Sequence, residues 1–268
     1  GLFSGPSWNP TWPETYRGDV IAPITALMVD DGRPAEGSGR SLDPSYAAAD
    51  SFAALLRQRG IRIVGVPRES AAPDGATPLA QVESAPVGQL VDRLLQVSDN
   101  ETAEVLLRHV GLATGGAGST KDGVAGGREV LEELGVGVPR RLRDGSGLSR
   151  DNLIAPETLV GLLQVAAASE QSDPLRGLFP GLPVAGFSGS LTFRFDDAPP
   201  AAVGRVRAKT GTLRGVRSLA GLVVARDGTP MVFALMADRI AEEDDETAEA
   251  VLDRAAAALA ACRCGRAG

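Results

Sequence analysis

Two short runs carry the side chains best suited to chemistry. Ser98-Asp99-Asn100 and Lys209-Thr210-Gly211-Thr212 offer hydroxyl, carboxamide and ammonium groups, the kinds that pass protons and hold polar substrates. If residues 98–100 form a short extended link, its period-two alternation sends Ser98 and Asn100 to one side, into a cleft, and returns Asp99 to the interior. The same residue types ahead of a helix also satisfy its orphan amides as a cap, so the triplet alone leaves both readings open. Lys209 falls on a strand, where a lysine beside Ala208 and two threonines equally suits a solvated face. Gly211 carries more information, because glycine inside a strand marks either the close approach of a ligand or backbone, or an edge bulge.

Other candidates are weaker. His109, the single histidine, lies on a helical stretch near Ser98 and invites a Ser-His pair, but a lone helical histidine is more often structural. No Gly-x-Ser-x-Gly elbow occurs, which disfavours an α/β-hydrolase, and the run Gly115–Gly118 lacks the Gly-Lys-Ser/Thr ending of a phosphate loop. Asp144-Gly145-Ser146-Gly147 reads first as a turn. One histidine and the Cys262-Arg263-Cys264 tail match no zinc or redox spacing, so no metal and no cofactor are expected. A tail disulfide, either local or to a cysteine outside the chain, requires an oxidising compartment.

With 268 residues and 43% hydrophobic content the chain can bury a sizeable core, as one large domain or two smaller ones. A net charge of −7 and scattered basic residues leave no footprint for a phosphate backbone, so nucleic acid is not an expected partner. No apolar run approaches the roughly 20 residues that cross a bilayer, and no signal peptide opens the sequence. The chain begins at Gly1 rather than Met, which reads as a processing or cloning boundary and makes the missing signal peptide uninformative about location.

The elements that must position these residues follow from periodicity. To about residue 80 the chain is rich in Pro, Gly and Ser, with strand-like runs at Ile24–Val29 and Ile61–Val66 and a helix at Pro44–Arg59, capped by Asp43 and stopped by Gly60. Helical spacing then places Leu90, Val91, Leu94 and Leu95 on one helix, Val87–Val97, and Val105, Leu106 and Val110 on the next, Glu101–Val110. Ser98-Asp99-Asn100 sits at their junction. Further helices are predicted at Gly127–Leu134 and, after the breaker Pro156, at Glu157–Ala168. Strands follow at Gly204–Thr212, Val216–Ala225 and Met231–Ala237, the last two joined by the hairpin signal Asp227-Gly228. An Ala-rich helix, Glu242–Cys262, closes the chain, with acidic residues at its start where they complement the macrodipole.

Ser-Asp-Asn and Lys-Thr-Gly, together with Ser-x-x-Lys, form the motif set of penicillin-binding proteins and class A β-lactamases. Each triplet alone is weak, but most of the chain resembles the larger penicillin-binding D-alanyl-D-alanine carboxypeptidases (class C, low molecular weight), which carry domains inserted into the catalytic domain. The similar segments run in order: Phe3-Ser4-Gly5-Pro6, Ile21-Ala22-Pro23-Ile24, Ser98-Asp99-Asn100-Glu101, Asp144-Gly145-Ser146-Gly147-Leu148-Ser149-Arg150, Leu182-Pro183-Val184-Ala185-Gly186, Gly189-Ser190-Leu191, Ala208-Lys209-Thr210-Gly211-Thr212-Leu213 and Leu219-Ala220-Gly221. The sequence departs from the pattern in one respect. Its two lysines, Lys121 and Lys209, follow Gly118 and Val206 by three residues, so no Ser-x-x-Lys occurs. In the resembled family that motif precedes the inserted domains, and it is expected upstream of Gly1.

The resemblance implies an α+β, β-lactamase/transpeptidase-like fold, with an antiparallel sheet packed with helices, a mainly helical lobe and part of an inserted domain. Residues 1–80 would be the remainder of that inserted accessory domain and residues 81–268 the C-terminal part of the catalytic domain. It implies a serine D-Ala-D-Ala carboxypeptidase, with endopeptidase activity a further option, working on peptidoglycan stem peptides through an acyl-serine that penicillins also form. Ser98 would relay a proton to the leaving D-alanine nitrogen, Asn100 would hold the substrate amide, and Lys209 would polarise Ser98. Thr210 and Thr212 would bind the terminal carboxylate beside Gly211, and the Thr212 N–H would serve as an oxyanion donor. Expected partners are stem peptides, β-lactam antibiotics and peripheral contact with the cell envelope, in an extracytoplasmic location. The 268 residues alone would be inactive. The alternatives are a non-catalytic cell-wall-binding protein and a β-lactamase or esterase on the same fold.

Overall fold

The apolar residues of the C-terminal half alternate with period two over three runs and build one antiparallel sheet in the order β1-β2-β3. A computed structural model describes residues 1–34, 36–71, 73–170, 173–196 and 198–265. In it β1 is Val206–Leu213, β2 Val216–Val224 and β3 Pro230–Asp238. The register sets Lys209 opposite Ala220 and Gly211 opposite Ser218. Among the described residues six α-helices precede the sheet: α1 Pro44–Gln58, α2 Val87–Val97, α3 Asn100–Ala113, α4 Thr120–Glu133, α5 Pro156–Ala168 and the single turn α6 Leu178–Gly181. One, α7 Asp245–Ala261, follows it.

Contacts divide the chain into two compact units that interleave along the sequence. The first comprises Gly1–Ser84, Asn100–Gly127 and Arg143–Asp151; the second comprises Ala85–Asp99, Arg128–Leu142 and the chain from Asn152 onward. The expected boundary at residue 80 falls near the end of the first stretch, and the last three residues of the expected 81–268 range lie outside the described ones.

In the second unit Val206, Ala208, Leu219, Val223 and Phe233 present one face of the sheet to Leu252, Ala256, Ala257 and Ala260 of α7. Small alanines let the helix lie close to the strands, and burial of this apolar set is the main driving force for the layer. α5 packs against β3 and β2 with residues outside that cluster. Arg194 ties the preceding loop to α7, donating from Nη2 and Nε to Asp253 at 2.6 and 2.9 Å. Asp227-Gly228 closes the β2–β3 hairpin as expected, with Gly228 at φ +87°. The tail folds back on it: Arg226 N–H donates to the Cys262 carbonyl, Gly265 N–H donates to Asp227 Oδ2, and Cys262 and Cys264 form a local disulfide.

One edge of β1 pairs with β2. Its other edge is partly covered by the segment Leu182–Leu191, where Ala208 N–H donates to the Pro183 carbonyl at 2.9 Å and Ala185 N–H to the Val206 carbonyl at 3.0 Å. The same segment touches α2, which also receives α6.

In the first unit Trp12, Ile21, Ala22 and Ile24 are buried. α1 begins at Pro44, with Asp43 accepting from Tyr46 N–H at 2.9 Å, and stops before Gly60 at φ +80°, both as the sequence implies. The two strands expected there do not form. Ile61, Val64 and Val66 are exposed, with no partner strand among the described residues to complete a ladder, and the run from Ile24 breaks after one buried residue, with Leu27 and Val29 exposed. α3 begins one residue earlier than expected and α4 seven residues earlier. Pro156 is not a breaker: it occupies the first turn of α5, where its missing N–H costs nothing.

Candidate active site

Ser98 occupies a position the sequence did not suggest. Instead of an extended link it is left-handed, at φ 56° and ψ 51°, immediately after the last residue of α2. Asp99 N–H reaches back to the Leu94 carbonyl at 3.2 Å, the wrap-around bond that closes a helix whose terminating residue is left-handed. Glycine usually fills that place, because a Cβ in this conformation costs about 1–2 kcal/mol. The serine therefore ends α2 in an exposed position, while Asp99 turns inward and is 6% exposed, without the extended link from which the alternation argument started. Ser98 itself ends one helix rather than beginning the next.

Lys209 comes to Ser98 from 111 residues away. Its Nζ donates to Ser98 Oγ at 2.7 Å and to the Thr210 carbonyl at 2.9 Å. Burial holds the ammonium down, from the ordinary 10.5 to about 8. Near neutrality the amine can therefore gain or lose a proton at little cost, the property a proton relay requires. Thr210 Oγ1 in turn donates to Ser190 Oγ at 2.9 Å. Ser98, Lys209, Thr210 and Ser190 thus form one line of polar contacts inside the second unit.

The strand carries two further features. Backbone groups alternate along a strand, and Ala208 N–H and the Val206 carbonyl face the Leu182–Leu191 segment. The N–H groups of Thr210 and Thr212 consequently point to that same edge, beyond the covered part, and Thr212 is exposed. At Gly211 a Cβ would stand 2.2 Å from Ser218 Oγ on the paired strand, a hydroxyl that can turn aside. The approach that Gly211 signalled comes from the neighbouring strand.

Asn100 opens α3 and is half-buried in the first unit. Two acids on the same helix, both missed in the sequence because charges near a helix start read as solvated, hold that first turn. Glu101, 2% exposed, accepts from Ala22 N–H at 3.2 Å and from Arg40 Nε at 2.5 Å. Burial pushes its carboxyl up, opposed by Arg40. Glu104, fully buried, accepts from the Gly145 and Ser146 N–H groups at 2.8 and 2.7 Å. Asp144 fixes the same turn by accepting from Trp12 Nε1 at 2.8 Å and Ser149 N–H at 2.6 Å. Burial, with the Asp144 charge adding to it, raises Glu104 from 4.5 to about 7 against the hydrogen bonds from Ser146 and Gly145. Arg108, one turn on and itself buried, spends its charge on the Ser4 and Pro6 carbonyls. His109 stacks edge-on against Phe3 with ring centroids 5.3 Å apart, a packing role. Among the described residues no cluster of three or more His, Cys, Asp or Glu side chains could hold a metal ion.

These elements are those of known proteins. The structure superposes on penicillin binding protein 4 (dacB) from Haemophilus influenzae with a TM-score of 0.70 and 29% identity, covering 81% of this chain and 49% of that one. The fold is therefore the α+β penicillin-binding arrangement of sheet and helices. The chain is 36% identical to carboxypeptidase DacB of Mycolicibacterium smegmatis across 98% of its own length and 57% of the relative's. It is 35% identical to carboxypeptidase Rv3627c of Mycobacterium tuberculosis over 98% of this chain and 56% of that protein. It spans little more than half the length of these relatives. Residues 22–259 match the D-Ala-D-Ala carboxypeptidase 3 (S13) family, and the chain belongs to that family.

Three outcomes test this geometry. In the isotope-labelled chain, the Lys209 side-chain resonance, identified as the one lost in Lys209→Arg, titrates near 8; a midpoint at the ordinary 10.5 contradicts the dry environment. Ser98→Gly unfolds at a stability about 1 kcal/mol above Ser98→Ala, since both lack the hydroxyl and only alanine keeps the left-handed strain; equal stabilities remove the strain argument. Glu104 has a raised folded pKa, so the folded state binds more protons than the unfolded state between 4.5 and about 7, and its contribution to stability falls as pH rises through that window. Denaturant titrations should show Glu104→Gln flattening that decline, and an unchanged slope would place the titrating group elsewhere.

Proposed function

We propose that the chain is part of a serine D-Ala-D-Ala carboxypeptidase, with endopeptidase activity open, that cleaves the terminal D-alanine from peptidoglycan stem peptides and is acylated by penicillins. The observation that carries this reading is the 2.7 Å hydrogen bond from Lys209 to the hydroxyl of a strained serine at a helix end. Proton transfer through that bond suits departure of an amine: Ser98 passes a proton to the D-alanine nitrogen as the scissile bond breaks, and Lys209 replaces it. Thr210 and Thr212 hold the terminal carboxylate, Asn100 the substrate amide, and the Thr212 N–H the developing oxyanion. Fixing the carboxylate sets the scissile bond over the nucleophile, the positional control that separates a carboxypeptidase from a general esterase.

The nucleophile and its base, Ser-x-x-Lys, do not occur in the 268 residues, and this reading takes them from the part of the protein that the longer relatives contain and this chain does not. Residues 1–80 are read as the remainder of an inserted accessory domain and residues 81–268 as catalytic. Action on the cell wall and the Cys262–Cys264 disulfide both favour an extracytoplasmic location, secreted or attached to the envelope. The reported complex of the H. influenzae relative with a β-lactam supports β-lactams as ligands.

The test compares the 268-residue chain with the longer protein. Fluorescent penicillin should label the longer protein covalently and leave the chain alone unlabelled, and the longer protein should release D-alanine from a stem-peptide mimic. Lys209→Met should lower kcat/KM for that release by about 100-fold or more. Labelling of the chain alone would sink the claim that the nucleophile lies outside it. A longer protein that is neither labelled nor active would be a wall-binding protein instead.

A further inference from the structure

The Ser190 hydroxyl has no role in the mechanism just described, yet it is built into place. Gly189 before it is left-handed at φ +57°, and a Cβ there would stand 2.4 Å from the Gln96 carbonyl and 3.0 Å from the Pro183 side chain. The backbone therefore presses directly on the last turn of α2, two residues before Ser98. Leu191 after it is fully buried in the core under the sheet, and its carbonyl accepts from Gly186 N–H at 3.0 Å. Thr192 Oγ1 closes the turn by donating to the Gly189 carbonyl at 2.9 Å. A turn pinned on both sides fixes the direction of the one side chain left outside it. That side chain ends 2.9 Å from Thr210 Oγ1, where the covered part of the β1 edge gives way to the open part carrying Thr210 and Thr212.

We propose that Ser190 is a positioning residue for the substrate's terminal carboxylate, acting through Thr210. The inference rests on the function proposed above. As drawn, the Thr210 hydroxyl donates to Ser190. A hydroxyl has one hydrogen, so Thr210 bonded in that direction offers only lone pairs to an incoming carboxylate, which repels them. Both hydroxyls rotate freely. When the carboxylate arrives, Thr210 turns its hydrogen to the substrate and Ser190 reverses to donate to Thr210 Oγ1. The reversal keeps both groups satisfied and polarises the Thr210 O–H, strengthening its bond to the anion. Without Ser190, Thr210 loses both its orienting partner and that polarisation. The Ser190 side chain selects for anionic substrate ends without touching the scissile bond.

The experiment uses the longer protein with a peptide ending in D-Ala-D-Ala, the same peptide ending in D-alanine amide, and a fluorophosphonate that labels the nucleophilic serine without presenting a carboxylate. Ser190→Ala should raise KM on the acid peptide, lowering kcat/KM up to about tenfold, the range for loss of one hydrogen bond. Cleavage of the amide peptide and the rate of fluorophosphonate labelling should stay as in the wild type, and Ser190→Thr should restore most of the loss. Equal kcat/KM for Ser190→Ala and wild type on the acid peptide overturns the inference alone. Equal losses on the acid peptide, the amide peptide and the fluorophosphonate also overturn it, since they show general disturbance of the cleft. A wild-type protein that takes up fluorophosphonate but releases no D-alanine overturns the carboxypeptidase reading and this inference with it.

Discussion

The distance between α2 and the free edge of β1 sets everything that happens at Ser98, and the chain from Leu182 to Leu191 fixes that distance. On one side it hydrogen-bonds β1 through Pro183 and Ala185; on the other it rests on the Gln96 carbonyl through a glycine that admits no side chain. Gln96 answers by donating to the Gly181 carbonyl at 3.0 Å. The bonds to β1 and the approach of Gly189 to the Gln96 carbonyl are backbone contacts, so the spacing depends little on rotamers. A hydrogen bond of 2.7 Å between side chains 111 residues apart needs this kind of support, because a shift of 1 Å would break it.

Two local costs are concentrated at that contact. Ser98 carries about 1–2 kcal/mol of left-handed strain, and Lys209 holds an ammonium where burial disfavours charge. The hydrogen bond between them, of the charge-assisted kind worth about 1.5–3 kcal/mol, is of the size needed to offset the first. It does not repay the second, since burial still holds the lysine below its ordinary value. The larger compensation lies elsewhere, in the α7 layer against the sheet, where Leu219, Val223, Val206 and Ala208 are entirely buried. Strand β1 thus anchors its first residues, Val206 and Ala208, in that core, while Thr212 near its other end is exposed.

The regular elements were legible because burial imposes period. Val87–Val97, the three strands and the Asp227-Gly228 hairpin emerge where the apolar spacing places them, and the resemblance in ordered segments identified the family that residues 22–259 confirm. What escaped is set by contacts distant in sequence. Ile61–Val66 has a strand's composition but no partner. Glu101 and Glu104 look solvated until Arg40, Ala22 and the amides of residues 145 and 146 close over them. Ser98 looks extended or N-capping because nothing local announces a left-handed serine. Gly189 offered a signal for Ser190, since a glycine followed by a serine and a core leucine suits a pinned turn, but the hydroxyl's partner lies twenty residues on.

The placement of function on this scaffold follows from the same division. Lys209, Thr210 and Thr212 belong to one strand, so their relative positions are fixed by backbone geometry and survive changes in the core. Ser98 and Ser190 come from outside the strand, and each is held by a backbone feature rather than by side-chain packing: a left-handed helix end and a left-handed glycine. A regular strand supplies the Lys209 ammonium and the Thr210 hydroxyl, while a left-handed serine and a turn behind a left-handed glycine bring Ser98 Oγ to the first and Ser190 Oγ to the second. Relaxing the Gly189 turn would shift both the Ser190 hydroxyl and the spacing between α2 and β1, so one backbone feature serves the fold and the hydroxyl geometry together.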